Sequence, residues 1–144
     1  MVAIPGAATL PISPAGEVVN DDPIVITLPI DGYENVARLV AGGLASRLDF
    51  GFETVDDMQL AIELVLRSIP ERGGSTSLTL MTDERSLVVA IAPIPGLTLE
   101  QPLRALDGGG MVLGSSLERL VDSVELRAEP DRAIVLSKLL PGHI

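Results

Sequence analysis

Apolar positions along the chain recur in two spacings, a period of two in short runs and a helical period in longer ones. Residues 1–22 hold neither period. They carry Pro5, Gly6, Pro11, Pro14 and Gly16, which predicts a tail that becomes ordered only where a partner or the sheet captures it. The run PIVITLPI at 23–30 is β-branched and bounded by prolines, the pattern of a strand at a sheet edge. After an Asp31-Gly32 turn, Val36, Leu39, Val40, Gly43, Leu44 and Leu48 fall on one stripe of a helix over 33–48. The Gly42-Gly43 pair lowers helix propensity, so it suits a bend or a place where another backbone comes close. A second helix opens after Phe52, where Thr54 and Asp57 resemble a capping box. Its stripe is Val55, Met58, Ile62, Val65, Leu66 and Ile69, and Pro70 with Gly73-Gly74 ends it.

Two β runs, 75–81 and 86–93, read as a hairpin across 82–85. A long loop over 93–111 holds Pro93, Pro95, Pro102 and the run Gly108-Gly109-Gly110. A third helix over about 113–121 follows, then a last hairpin from 123–128 and 133–139 across Glu129-Pro130-Asp131. The order β-α-α-β-β-α-β-β predicts an α+β fold: a two-layer α/β sandwich with a mixed, mostly antiparallel sheet and three helices on one face. Val36, Leu44, Met58, Ile62 and Val65 are expected to be buried against Leu78, Leu80, Val89 and Ile91. The expected organisation is a tail, 1–22, and one domain, 23–144.

Composition narrows the function. The 144 residues are 47% hydrophobic and 21% charged, enough apolar surface for one core and too much for a disordered chain. Cysteine is absent and His143 is the single histidine, which excludes disulfides, thiol catalysis, cysteine-ligated zinc and a core Ser-His-Asp triad. The net charge of −10 repels phosphate backbones, so no nucleic-acid partner is expected and a basic or partly apolar protein is. With Tyr33, Phe50 and Phe52 as the aromatics, no base-stacking platform can be built. The N-terminus lacks a charged n-region with a continuous apolar run, and no stretch reaches eighteen apolar residues. The expectation is a cytoplasmic protein with no membrane partner.

Three stretches carry a likeness. PIDGYENVARLVAGGLASRLDF, with its Ala37-Arg38 pair and closing Leu48-Asp49, is one; TVDDMQLAIELVLRSI is the second; SSLERLVDSVELRAEPDRAIVLSKLL is the third. They resemble the first helix, the second helix, and the last helix with final hairpin of the anti-sigma factor serine kinases of bacterial partner-switching systems. Those belong to the histidine-kinase-like ATPase superfamily. With the β runs between them the likeness covers about residues 23–140. It implies the histidine-kinase-like ATPase fold, a homodimer, and a sigma factor or its antagonist as protein partner. The family's partner surface uses a Glu and an Arg a turn apart on the first helix, matched here by Glu34 and Arg38. They lie on the side away from the apolar stripe, and are also an ordinary i,i+4 surface pair.

The nucleotide motifs of the resemblance are broken. The family's E-x-x-x-N places a carboxylate base and a Mg²⁺-holding carboxamide one turn apart. The matching positions are Glu63 and Arg67, or Leu64 and Ser68 one residue later. An arginine has donors only and cannot ligate a cation. Glu63 and Arg67 also read as a helix-surface ion pair. The family's D-x-G-x-G turn, whose Asp reads adenine, is replaced by Pro93-Ile94-Pro95-Gly96. The glycines of its phosphate lid are replaced by Met111 and Leu113, with Gly110 and Gly114 as flanking remnants. Loss of all three residue types implies a degenerate member that regulates by binding, with no cofactor and no catalytic residue. Two other readings remain. One is an active serine kinase with Glu63 as base, using ATP and Mg²⁺. The other is a sensor whose pocket, lined by Ile91, Ile94, Met111 and Leu113, takes another ligand.

Overall fold

The computed structural model describes residues 23–47, 51–70, 73–82, 86–103, 111–128 and 131–139. Among the described residues, five strands and three helices follow one another as β1 (Ile24–Pro29), α1 (Glu34–Arg47), α2 (Phe52–Ser68), β2 (Ser75–Thr82), β3 (Ser86–Ala92), α3 (Leu113–Leu120), β4 (Ser123–Arg127) and β5 (Ala133–Leu139). The strands form one sheet in the order β1-β2-β3-β5-β4. Every neighbouring pair is antiparallel, so the sheet is wholly antiparallel rather than mixed. The proline-bounded first strand does lie at an edge, where a residue without an N–H costs no ladder bond.

Strand periodicity sorts the side chains onto two faces. Ile26, Leu78, Ile91, Ile134 and Leu126 pair in register across all five strands, and Leu80, Val89, Leu136 and Val124 form the next row. The central members of these rows are 0–1% exposed. They meet Ala37, Ala41 and Ala45 of α1, Met58, Ile62 and Val65 of α2, and Leu113 and Leu117 of α3 in one hydrophobic cluster. The other sheet face carries Thr27, Ser77, Thr79, Ala90 and Val135, with no described helix over it. Among the described residues the architecture is therefore a two-layer α+β sandwich with one sheet face open.

Two local expectations are corrected. The helix α2 begins at Phe52 with Gly51 in the cap position, extended at φ −68, ψ 158, and without a side-chain cap bond. Thr54 is instead buried in the first turn, and Asp57 reaches across to the Lys138 ammonium of β5 at 3.3 Å. The capping-box reading therefore fails: Gly51 holds the cap position, Thr54 lies inside the first turn of the helix, and Asp57 is paired with Lys138. In α1, Val36 and Leu39 are exposed, at 40% and 73%, while Val40 and Leu44 pack only partly against the core. The fully buried residues are Ala37, Ala41 and Ala45. Helices that approach closely select small side chains at the contact, so the buried stripe runs through the alanines, one position from the stripe that hydrophobicity alone picks out. Leu48 lies outside the described residues.

Candidate functional site

The region matching the adenine turn is built from backbone bonds closed on themselves. The N–H of Leu97 donates to the Ile94 carbonyl at 3.1 Å, with Pro95 and Gly96 at the corners. Gly96 has φ +79, the left-handed region that favours glycine in the second corner of such a turn. Ile94 N–H donates to the Arg132 carbonyl at 3.1 Å. The Arg132 Nε–H returns to the Leu97 carbonyl at 2.8 Å, and the Thr76 hydroxyl donates to the Pro93 carbonyl at 2.8 Å. Ile94 and Leu97 are fully buried. Gly96 thus serves a tight turn, and aliphatic carbon points inward from the turn where the family places a carboxylate.

The start of α3 matches the phosphate lid. The first amides of a helix lack intrahelical acceptors and attract anions. Here the Leu113 N–H donates to the Gln101 carbonyl at 2.9 Å and the Gly114 N–H to the Leu99 carbonyl at 2.8 Å. Leu103 N–H donates to the Met111 carbonyl at 3.1 Å, and Pro102 and Val112 form an antiparallel bridge. Residues 99–103 therefore occupy the amides that a phosphate would need. Gly114 suits that contact: a Cβ there would stand 3.1 Å from Leu99 Cβ and 3.2 Å from the Leu99 carbonyl oxygen, so Leu99 would have to shift by a few tenths of an ångström. The Gln101 side chain fixes the crossing, donating to the Ser68 carbonyl at the end of α2 at 2.8 Å and accepting from Thr98 N–H at 3.0 Å. Gly110 lies outside the described residues.

The third motif position is held by charge. Glu63 accepts from Arg38 Nη1 through Oε1 at 3.1 Å and from Arg67 Nη1 through Oε2 at 3.0 Å. Both carboxylate oxygens are thus engaged by guanidinium groups. The expected i,i+4 pair of Glu63 and Arg67 is present, and Arg38 joins it from α1. Arg38 is therefore not confined to the outer side of α1 beside Glu34. Its side chain crosses to α2, with Nε buried and without a hydrogen-bond partner among the described residues. Gln59 completes the helix–helix contact by donating to the Arg38 carbonyl at 2.8 Å, over the gap left by Gly42. Glu34 sits in the first turn of α1, half-buried, where its charge favours the helix N-terminus.

These residues do not fit ATP with Mg²⁺. The metal-holding Asn is an arginine tied to Glu63, the adenine-reading acid is absent, and the phosphate amides are bonded to 99–103. The sensor pocket fares similarly, since Ile91, Ile94 and Leu113 are fully buried in the core cluster, with Met111 half-buried. Among the described residues, no group of three or more His, Cys, Asp or Glu could hold a metal ion.

The helical layer leaves some large apolar side chains open. Tyr33, just before α1, and Val36 and Leu39 on it are 44%, 40% and 73% exposed, and Leu60 of α2 is 42% exposed. Sequence reasoning placed Val36 and Leu39 inside. The signal that could have placed them outside is the alanine series 37, 41, 45, which occupies the neighbouring face of the same helix.

The fold and these contacts define a two-layer α+β domain in which the first amides of α3 and the 94–97 turn are bonded to the chain's own backbone. No protein-family model matches the chain, and a search of curated proteins finds no match. No described helix is long and apolar enough to cross a membrane.

Proposed function

We propose that this protein is a regulatory binding module. It acts through the outer face of α1 on a protein partner, a sigma factor or its antagonist, as a homodimer and without using ATP. The observation that carries this reading is the row of Tyr33, just before α1, and Val36 and Leu39 on it, exposed beside a helix face sealed by Ala37, Ala41 and Ala45. A single exposed leucine is ordinary. A row of large apolar side chains on one helix, with Arg38 beside it, is the composition of an interface centre. The partner class is supported by the element order and the three family-like stretches. Engagement of Glu63 by two arginines speaks against the kinase reading, and burial of Ile91, Ile94 and Leu113 speaks against the sensor.

The test is titration of the protein against the sigma factor and antagonist encoded in its native host, wild type beside Leu39→Asp. Leu39 touches nothing in the core cluster, so the variant is expected to fold normally and to bind at least thirtyfold more weakly, about 2 kcal/mol. Unchanged affinity would remove α1 from the interface. Absence of binding to either candidate would remove the partner class. Calorimetry with ATP and Mg²⁺ at about 1 mM is expected to give no isotherm; saturation in the micromolar range, or phosphate transfer to a partner serine, would restore the kinase reading.

A further inference from the structure

We infer that the open face of the sheet is the docking surface for this chain's own N-terminal segment, residues 1–19. The face is nearly free of charge. Across its centre run Thr79, Ala90 and Val135 in register, the last two only 6% exposed. Hydroxyl pairs flank them, Thr27 with Ser77 and Ser123 with Ser137, each at 2.7 Å. Among the described residues, charge on this face is confined to Glu125 and Arg127 of the edge strand β4, which are paired with each other at 3.0 Å. Val25 of β1 and Leu139 of β5 stand on the same face at 51% and 56% exposure. Such a surface offers nothing to hold a charged partner, and the apolar area it leaves in water lies toward its rims, at Val25 and Leu139.

The segment has matching chemistry. Residues 1–16 carry no charged side chain, and Val2, Ile4, Leu10 and Ile12 are large and apolar. The segment joins the sheet at Pro23, directly before β1 and its exposed Val25. Asn20, Asp21 and Asp22 are turn formers, placed where the chain must reverse to lie back over the sheet. Reach is ample: 22 residues span up to about 70 Å extended, against a sheet about 20 Å wide. Pro5, Pro11 and Pro14 lack the N–H that a sixth strand would donate at the β1 edge. They are no hindrance to an extended chain lying across the face.

Area decides between this occupant and a second copy of the chain. Five strands spaced about 4.8 Å apart and about 20 Å long present roughly 500 Å². A stable dimer needs roughly 800 Å² from each partner. A tethered segment needs less, because the tether supplies an effective concentration of millimolar order.

The experiment exploits the absence of cysteine. In the full chain, Thr79→Cys carries a nitroxide on the open face and Leu60→Cys carries one on the helical layer; Ser77→Cys replaces Thr79→Cys if that variant does not fold. Amide resonances of residues 2–19 are expected to lose most of their intensity with the label at 79 or 77, and to keep it with the label at 60. Loss must also persist when the labelled chain is diluted with unlabelled, isotopically silent chain. Full intensity throughout residues 2–19 would overturn the inference. So would equal losses from both faces. Losses that appear only between different chains in a mixed sample would assign the face to a second copy instead.

Discussion

Gly42 and Gly43 are neighbours on one helix and should respond unequally to the same substitution. Alanine in place of glycine inside a helix contributes about 0.8–1 kcal/mol through lower backbone entropy in the unfolded chain. At Gly43 an added Cβ meets nothing within 4 Å, so Gly43→Ala should realise that gain in full and raise Tm by about 2–4 °C for a chain of this size. At Gly42 the Cβ would lie 2.6 Å from Gln59 Nε2. The Gln59 side chain must then swing away, which breaks its bond to the Arg38 carbonyl at 2.8 Å. A bond of that kind contributes about 0.5–1.5 kcal/mol, enough to cancel the propensity gain or reverse it. The two variants should therefore differ by about 1 kcal/mol or more, read from urea midpoints at constant m. In a Gln59→Ala background the obstacle is gone, and Gly42→Ala should recover the stabilisation seen at Gly43. Equal stabilisation by both alanines in the wild-type background would show that Gln59 does not lock α1 to α2, and the reasoning would fall.

Other measurements follow from the same geometry. A double-mutant cycle on Arg38→Ala and Glu63→Ala should give a coupling of about 0.5–1 kcal/mol, since Arg38 is 37% exposed. In about 1 M salt, where the Debye length falls to roughly 3 Å, that coupling should shrink; a coupling near zero at low salt would mean the interhelix pair is idle. Gly114→Val should destabilise the fold by about 1–3 kcal/mol in chemical denaturation, because Leu99 lies where the new side chain must go. Wild-type stability in that variant would show that the 99–103 crossing yields at little cost.

The strand and helix order was legible because each element keeps one clear period. The run PIVITLPI is β1, the edge strand, and Ala133–Leu139 is β5 as read. Helix α1 was harder. Its residues mix alanine, leucine and valine around much of the circumference, so a hydrophobic stripe can be drawn in more than one phase. Packing chose the phase with the smallest side chains, which no ranking by hydrophobicity would choose. For the site, Glu63 with Arg67 could be read from spacing alone, since i and i+4 are neighbours on any helix. Arg38 to Glu63 could not, because it depends on how two helices dock. Gly114 was visible as a glycine but not as one suited to the space beneath Leu99, since backbone approach across a loop leaves no periodic trace in the chain.

The crossing of residues 99–103 over the start of α3 makes this corner of the fold hard to turn into an anion site. Point changes such as Arg67→Asn and Pro93→Asp would supply side chains of the types a nucleotide site uses. They would not free the Leu113 and Gly114 amides, which donate to backbone carbonyls that every residue type possesses. Releasing them requires that a whole segment leave, together with the Gln101 bond to Ser68. A property set by side chains can be changed one codon at a time; one set by the path of the main chain changes only when a whole segment moves.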